Sequence, residues 1–170
     1  MPFDPSSLFD VTGKAVVVTG GAGGIGTALT HGFVALGAKV LAVDITAPDH
    51  LPANAVFHRA DLRDQAAIQV IASTAQDRFG RIDVLVNNAG VVERGRAEEM
   101  PAADWDNTLS INLTGTFQLC QAVGRIMIAQ KAGKIVNVSS RCGFVGMPFI
   151  SAYNVSKAGI VALTRTLAIE

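Results

Sequence analysis

The amino-acid sequence predicts an α/β fold built on a doubly wound parallel sheet, and three observations carry that prediction. Short β-branched runs recur five times, helical apolar patterns lie between most of them, and the connections are short. Nearly continuous apolar runs, rather than alternating ones, belong to parallel strands covered on both faces. Right-handed crossovers then place helices on both sides of the sheet.

The first run, KAVVVT at 14–19, passes through a glycine-rich turn into a helical pattern. Ile25, Ala28, Leu29, Gly32, Phe33 and Leu36 fall on one stripe there, and Gly37 ends the helix. KVLAVD (39–44) and AVFHRA (55–60) are the second and third strands. The segment DQAAIQVIASTAQDRFG repeats the helical pattern and closes at Gly80 in the same way. IDVLVN (82–87) is the fourth strand. Residues 101–131 predict a short helix opened by Pro101 and then a longer one. KIVNVS (134–139) is the fifth strand, and SAYNVSKAG begins a last helix. No internal repeat, low-complexity stretch or linker interrupts this order, so residues 1–170 read as a single domain.

Composition excludes several classes. Fourteen basic side chains balance fourteen acidic ones, which removes the electrostatic footprint of a nucleic-acid binder. The opening MPFDPSSLFD has acids and prolines where a secretory signal has a basic flank and an apolar run. Apolar segments are cut by Gly, Thr, Lys or Asp well short of the ~20 residues that cross a bilayer. Cys120 and Cys142 lack metal-ligand spacing, as do His31, His50 and His58, so no metal site is expected. The N-x-[ST] matches at Asn112, Asn137 and Asn154 are chance hits in a chain read as cytoplasmic.

Ligands of doubly wound sheets bind beyond the carboxyl ends of the strands, so the residues after each strand are the candidates. VVVTGGAGGIG is the first. Glycine permits a tight turn and removes the Cβ that would block a phosphate, and the following helix offers unpaired N–H groups to a pyrophosphate. Gly21, Gly23 and Gly26 fit G-x-G-x-x-G, while Gly20, Gly24 and Gly26 fit G-x-x-x-G-x-G; both registers remain open. Asp44 ends the second strand 18 residues beyond Gly26, where a carboxylate accepts from ribose hydroxyls and repels a 2′-phosphate. The expected cofactor is therefore NAD in preference to NADP.

Tyr153 is the only tyrosine, and Lys157 lies one helical turn beyond it. A free phenol is ionised to about one part in a thousand at neutral pH, and a neighbouring ammonium favours the phenolate. The pair makes an acid/base catalyst for an alcohol proton.

These residues together resemble the short-chain dehydrogenase/reductase family over the whole chain. TGGAGGIG, which includes Gly20, Gly23, Gly24, Ile25 and Gly26, is similar to the family's cofactor loop TGxxxGIG. Asp61-Leu62 resembles its adenine-side contact, and NNAG, with Asn88, Ala89 and Gly90, its signature after the fourth strand. Asn112 in INLTGTF, Ser140 in IVNVSS and the YNVSK motif complete the pattern. The resemblance implies Tyr153 as acid/base, with Lys157 strengthening the acidity of the phenol and binding the nicotinamide ribose. It implies Ser140, rather than Ser139, as the hydrogen-bond donor to the substrate oxygen, and Asn112 as the residue placing a proton-relay water. The reaction implied is NAD(P)-dependent hydride transfer between a nicotinamide and a secondary alcohol or ketone.

The resemblance also implies a homodimer or homotetramer of the full-length form, with an interface on the helices at 112–131 and 153–170. The sequence stops at VALTRTLAIE inside a helix with no stop signal, so the family's last strands and substrate-closing loop are expected to be missing. The rival expectation is a truncated, catalytically silent dinucleotide-binding fragment. FVGMPF (144–149) offers an apolar wall for a substrate, and AEEM (97–100) reads as a solvated acidic turn.

Overall fold

The computed structural model describes residues 10–170, so the reading of the first nine residues of the opening lies outside it. Five strands form one parallel sheet: β1 (Ala15–Thr19), β2 (Lys39–Asp44), β3 (Ala55–Arg59), β4 (Val84–Asn87) and β5 (Lys134–Asn137). Their order is β3-β2-β1-β4-β5, so the chain reverses direction of travel between β1 and β4. The first strand occupies the centre, in register with Lys39–Val43 on one side and Val84–Val86 on the other.

Alternation along these strands divides the core. Val17, Leu41 and Leu85 face one side, with Ile68 and Ile71 of α2 (Gln65–Phe79) and Leu119 and Val123 of α4 (Thr116–Gln130) packed on them. Val16, Val18, Val40 and Val86 face the other, under Leu29 and Phe33 of α1 (Gly24–Ala35). The central strand is buried throughout, which explains its unbroken apolar run. The predicted doubly wound architecture is the observed one.

Helix ends follow local chemistry. Asp64 caps α2 by accepting from Ala66 N–H, and Gly80 closes it at φ 75°. Gly37 takes φ 84° after α1.

Residues 101–131 hold the expected short helix after Pro101 and the longer one beyond it, with a junction that the sequence does not announce. The helix α3 (Ala102–Leu109) continues through a six-residue π turn, Ser110–Gly115, directly into α4. The sequence SINLTG holds no proline or paired breaker that would have marked this wide turn. Tertiary contacts around Asn112 and Gly115 determine it. A final helix, α5 (Ser151–Ile169), follows a short 3₁₀ turn at Arg141–Gly143.

Candidate active site

A cavity of about 500 Å³ opens at the carboxyl ends of β1, β2, β3 and β4. Its floor is the glycine turn. Gly20 adopts φ 66°, and its carbonyl oxygen lies so close to Gly26 that any Cβ there would overlap it. A Cβ on Gly24 would meet nothing within 4 Å. Gly26 belongs to both glycine registers, and a Cβ on Gly21 would also be crowded, 2.9 Å from Ala42 Cβ. Gly23 stands at the N-cap position of α1 without a side-chain cap, so the first N–H groups of that helix point to the cavity end.

Asp44 forms the wall beyond the turn. One carboxylate oxygen accepts from Ala22 N–H at 3.0 Å, the other from Ile45 N–H at 2.8 Å and Thr46 N–H at 3.3 Å. On the next strand end, Arg63 grips the Asp61 carboxylate through Nε at 3.0 Å and Nη2 at 2.6 Å, and reaches Asn107 of α3 at 3.0 Å. The Arg63 hydrogen bonds hold the Asp61 carboxyl below the usual carboxylate range. Asn88 donates to Thr19 O at 3.0 Å, while the Thr19 hydroxyl accepts from both Asn88 and Ala89 N–H at 3.1 Å.

Gly20, Gly23, Gly24, Ile25, Gly26, Asp44, Asp61, Leu62, Asn88, Ala89 and Gly90 all line this cavity. Thr19, Val43, Ile45, Ala60, Arg63, Val91 and Ile111, which the sequence reading did not single out, line it too. Thr19 was visible as the strand's last residue. Arg63 and Ile111 carried no local signal, because a loop arginine and a helical isoleucine have ordinary solvent and core roles.

The second group of expected residues gathers where β5 meets α5. Lys157 is 4% exposed, its Nζ donates to Val138 O at 2.8 Å, and it stands 5.6 Å from the Tyr153 ring centroid. Burial pulls the Lys157 ammonium below its ordinary pKa. Ser140 Oγ accepts from Cys142 N–H at 3.2 Å and so caps the 3₁₀ turn, with its own proton not committed to another group among the described residues. Ser139 turns instead to the helix and donates to Lys157 O at 2.9 Å.

Asn112 joins the two groups. It is buried within the π turn, its Oδ1 accepts from Val91 N–H at 2.8 Å, and its Nδ2 donates to Val91 O at 2.9 Å and Ser156 Oγ at 3.1 Å. A Cβ on Gly90 would lie 3.3 Å from Asn112 Oδ1 and 3.5 Å from Lys157 Nζ, so the end of the NNAG loop touches both. The Asn112 amide is thus committed to protein groups that tie the NNAG loop to α5, and its main-chain carbonyl accepts from Thr116 Oγ1. No group of three His, Cys, Asp or Glu side chains is placed to hold a metal among the described residues.

A glycine cradle that closes on a Cβ, a helix N-terminus and a strand-end carboxylate fit a dinucleotide. The same fold sets a buried lysine beside the tyrosine at the edge of that nucleotide-binding cavity. The family model for short chain dehydrogenases matches residues 14–170. The chain is 42% identical to the D-threitol dehydrogenase of Mycolicibacterium smegmatis, covering 95% of this chain and 66% of that protein. It is 37% identical to the NAD-dependent glycerol dehydrogenase of Listeria innocua, covering 95% and 66%. A solved short-chain dehydrogenase/reductase from Burkholderia phymatum in complex with NAD superposes with a TM-score of 0.87 at 30% identity, over 94% of this chain and 60% of that one. The chain belongs to the short-chain dehydrogenase family, and it spans about two thirds of the length of these relatives.

Proposed function

We propose that this chain forms the cofactor-binding and acid/base part of an oxidoreductase that interconverts a secondary alcohol and a ketone with NAD. The observation that carries the reading is the buried Lys157 ammonium 5.6 Å from the ring of the only tyrosine, beside a cavity with a glycine floor. A nicotinamide bound in that cavity supplies the hydride acceptor or donor.

The residues then divide the work. Tyr153 takes the hydroxyl proton of the alcohol, or returns it to the ketone, and the Lys157 charge favours the phenolate that must form. Lys157 also holds the nicotinamide ribose. Ser140 has an uncommitted hydroxyl proton for the substrate oxygen. Asn112 holds the NNAG loop against α5 and positions the water that relays protons to Lys157. Gly20, Gly23, Gly24, Ile25 and Gly26 receive the pyrophosphate, Asn88, Ala89 and Gly90 flank the nicotinamide side, and Asp61-Leu62 meet the adenine. Asp44 accepts from the adenosine ribose hydroxyls, which supports NAD over NADP.

Relatives named for threitol and glycerol support small polyols as the first substrates to screen. We place the protein in the cytoplasm, with no nucleic-acid or membrane partner; no described helix is long and apolar enough to cross a bilayer. The exposed Phe117 and Ile128 on α4 and Val155 on α5 support a homodimer or homotetramer through those helices.

The test is a thermal melt with each cofactor, followed by turnover of the Tyr153→Phe variant. NAD at one hundred times its Kd stabilises the folded chain by ~2.7 kcal/mol. The expected result is a larger shift with NAD than with NADP, a preference lost in Asp44→Ala, and turnover abolished in Tyr153→Phe with NAD binding kept. Binding of NAD without turnover of any secondary alcohol would instead favour the catalytically silent fragment.

A further inference from the structure

The strand end that carries Ser140 holds Lys157 at both of its ends. Val138 O accepts from the ammonium at 2.8 Å, and the next residue, Ser139, donates its hydroxyl to the Lys157 main-chain carbonyl at 2.9 Å. That carbonyl lies in the middle of α5, where the helix already provides it with an N–H partner four residues on. The Ser139 bond is therefore not needed to complete the helix; it is an added tie between α5 and β5.

Gly143 makes the tie possible. A Cβ at this position would stand 2.7 Å from Lys157 O and 3.0 Å from Ser139 Oγ. Any other residue would push the 3₁₀ turn off the helix and separate the two groups that Ser139 joins. Neither Ser139 nor Gly143 lines the cavity.

We propose that Ser139 and Gly143 are positioning residues whose clamp on the Lys157 turn of α5 sets the distance between the Lys157 ammonium and the Tyr153 phenol. The influence of one charge on a neighbouring ionisation falls with separation, and a lysine side chain has four rotatable bonds to lose its place with. Anchoring both the carbonyl and the ammonium to consecutive residues of the segment just after β5 removes that freedom. Because Ser140 is the next residue, the same clamp fixes its hydroxyl relative to the phenol. This inference rests on the Tyr–Lys reading above, and the experiment separates the two.

Tyr153 is the chain's single tyrosine, so near-ultraviolet phenolate absorbance reports that phenol alone and needs no substrate. The titration is recorded for the 170-residue chain, Lys157→Met, Ser139→Ala and Ser139→Thr, each beside its thermal melt. The expected result is a phenolate that emerges at higher pH in Lys157→Met than in the wild type. In Ser139→Ala the midpoint moves at least about half a unit in that direction, and Ser139→Thr, which keeps the hydroxyl, restores it. A Ser139→Ala midpoint equal to the wild type, with Lys157→Met displaced, overturns the clamp and leaves the Tyr–Lys reading intact. A Lys157→Met midpoint equal to the wild type overturns both. Should Ser139→Ala not melt cooperatively, Ser139→Cys takes its place with a weaker donor at the same atom, and the same displacement is expected.

Discussion

Lys157 is a buried cation with no carboxylate partner among the described residues, and that has a consequence for stability as well as chemistry. Its ammonium is satisfied only by the Val138 carbonyl among the described residues, and burial lowers its pKa. A lysine whose folded pKa is depressed binds fewer protons in the native state than in the unfolded chain over the interval below the ordinary value of ~10.4. The cost of holding the charge is therefore fully present below the lowered pKa and is relieved as pH rises through it. The expected result is a difference in melting temperature between wild type and Lys157→Met that moves in the wild type's favour from pH 7 towards 10. A difference that moves the other way would show that the ammonium is stabilised in the fold rather than penalised. Cysteines give a second test at this scale. Burial pushes the Cys120 thiol up to about 11, against the opposing effect of its hydrogen bonds with Asn87, which donates to Sγ, and Asn137, whose Oδ1 accepts from it. Cys142 is half-buried at the 3₁₀ turn. Iodoacetamide near neutral pH should modify Cys142 first and reach Cys120 only when the chain unfolds, because the thiolate is the reactive form; mass mapping of the alkylated cysteines checks the order.

At the scale of elements, the two ends of α1 and α4 show what the sequence made legible and what it did not. The strand-turn-helix of the glycine loop was readable because each glycine answers a local demand. Those demands differ, and only the structure separates them. Gly26 is a packing glycine: a Cβ there overlaps the Gly20 carbonyl. Gly24 is a cavity glycine, with open space where its Cβ would point. Gly26→Ala should cost about 3 kcal/mol or more, since backbone rather than a flexible side chain must move. Gly24→Ala should leave the melt within ~1 kcal/mol of wild type, or raise it, while weakening the NAD-induced shift. Equal melts for the two variants would refute the assignment. The π turn was not legible. Its Asn112 is held by Val91 and Ser156, and a Cβ on Gly115 would stand 2.5 Å from Leu62 O. Both partners are distant in sequence, so no local pattern announces the widening. The role of Ser139 was hidden too, since its partner is a helix carbonyl 18 residues away.

At the scale of the whole molecule, the fold was legible because parallel strands buried on both faces leave unbroken apolar runs, and β1 is the purest case. The sheet ends were less so. Its edges among the described residues are β3 and β5, and they differ in character. The β3 edge ends in His58 and Arg59. The β5 edge reads KIVN, with Ile135 packed on the α2–α4 core and Val136, 50% exposed, on the opposite face. An unpaired edge with exposed valine invites another strand. Association through α4 and α5, where Phe117 and Val155 are exposed, is a different and geometrically specific event. Light scattering across a concentration series distinguishes them with two variants. If the edge drives association, Val136→Lys suppresses it and Phe117→Asp does not, because an edge lysine blocks strand pairing without touching α4. If the helices form the dimer, Phe117→Asp yields monomer and Val136→Lys keeps the dimer. Each site is exposed, so neither substitution should move the melt of the monomer by more than about 0.5 kcal/mol. A change in scattering with an unchanged melt therefore reports the interface itself.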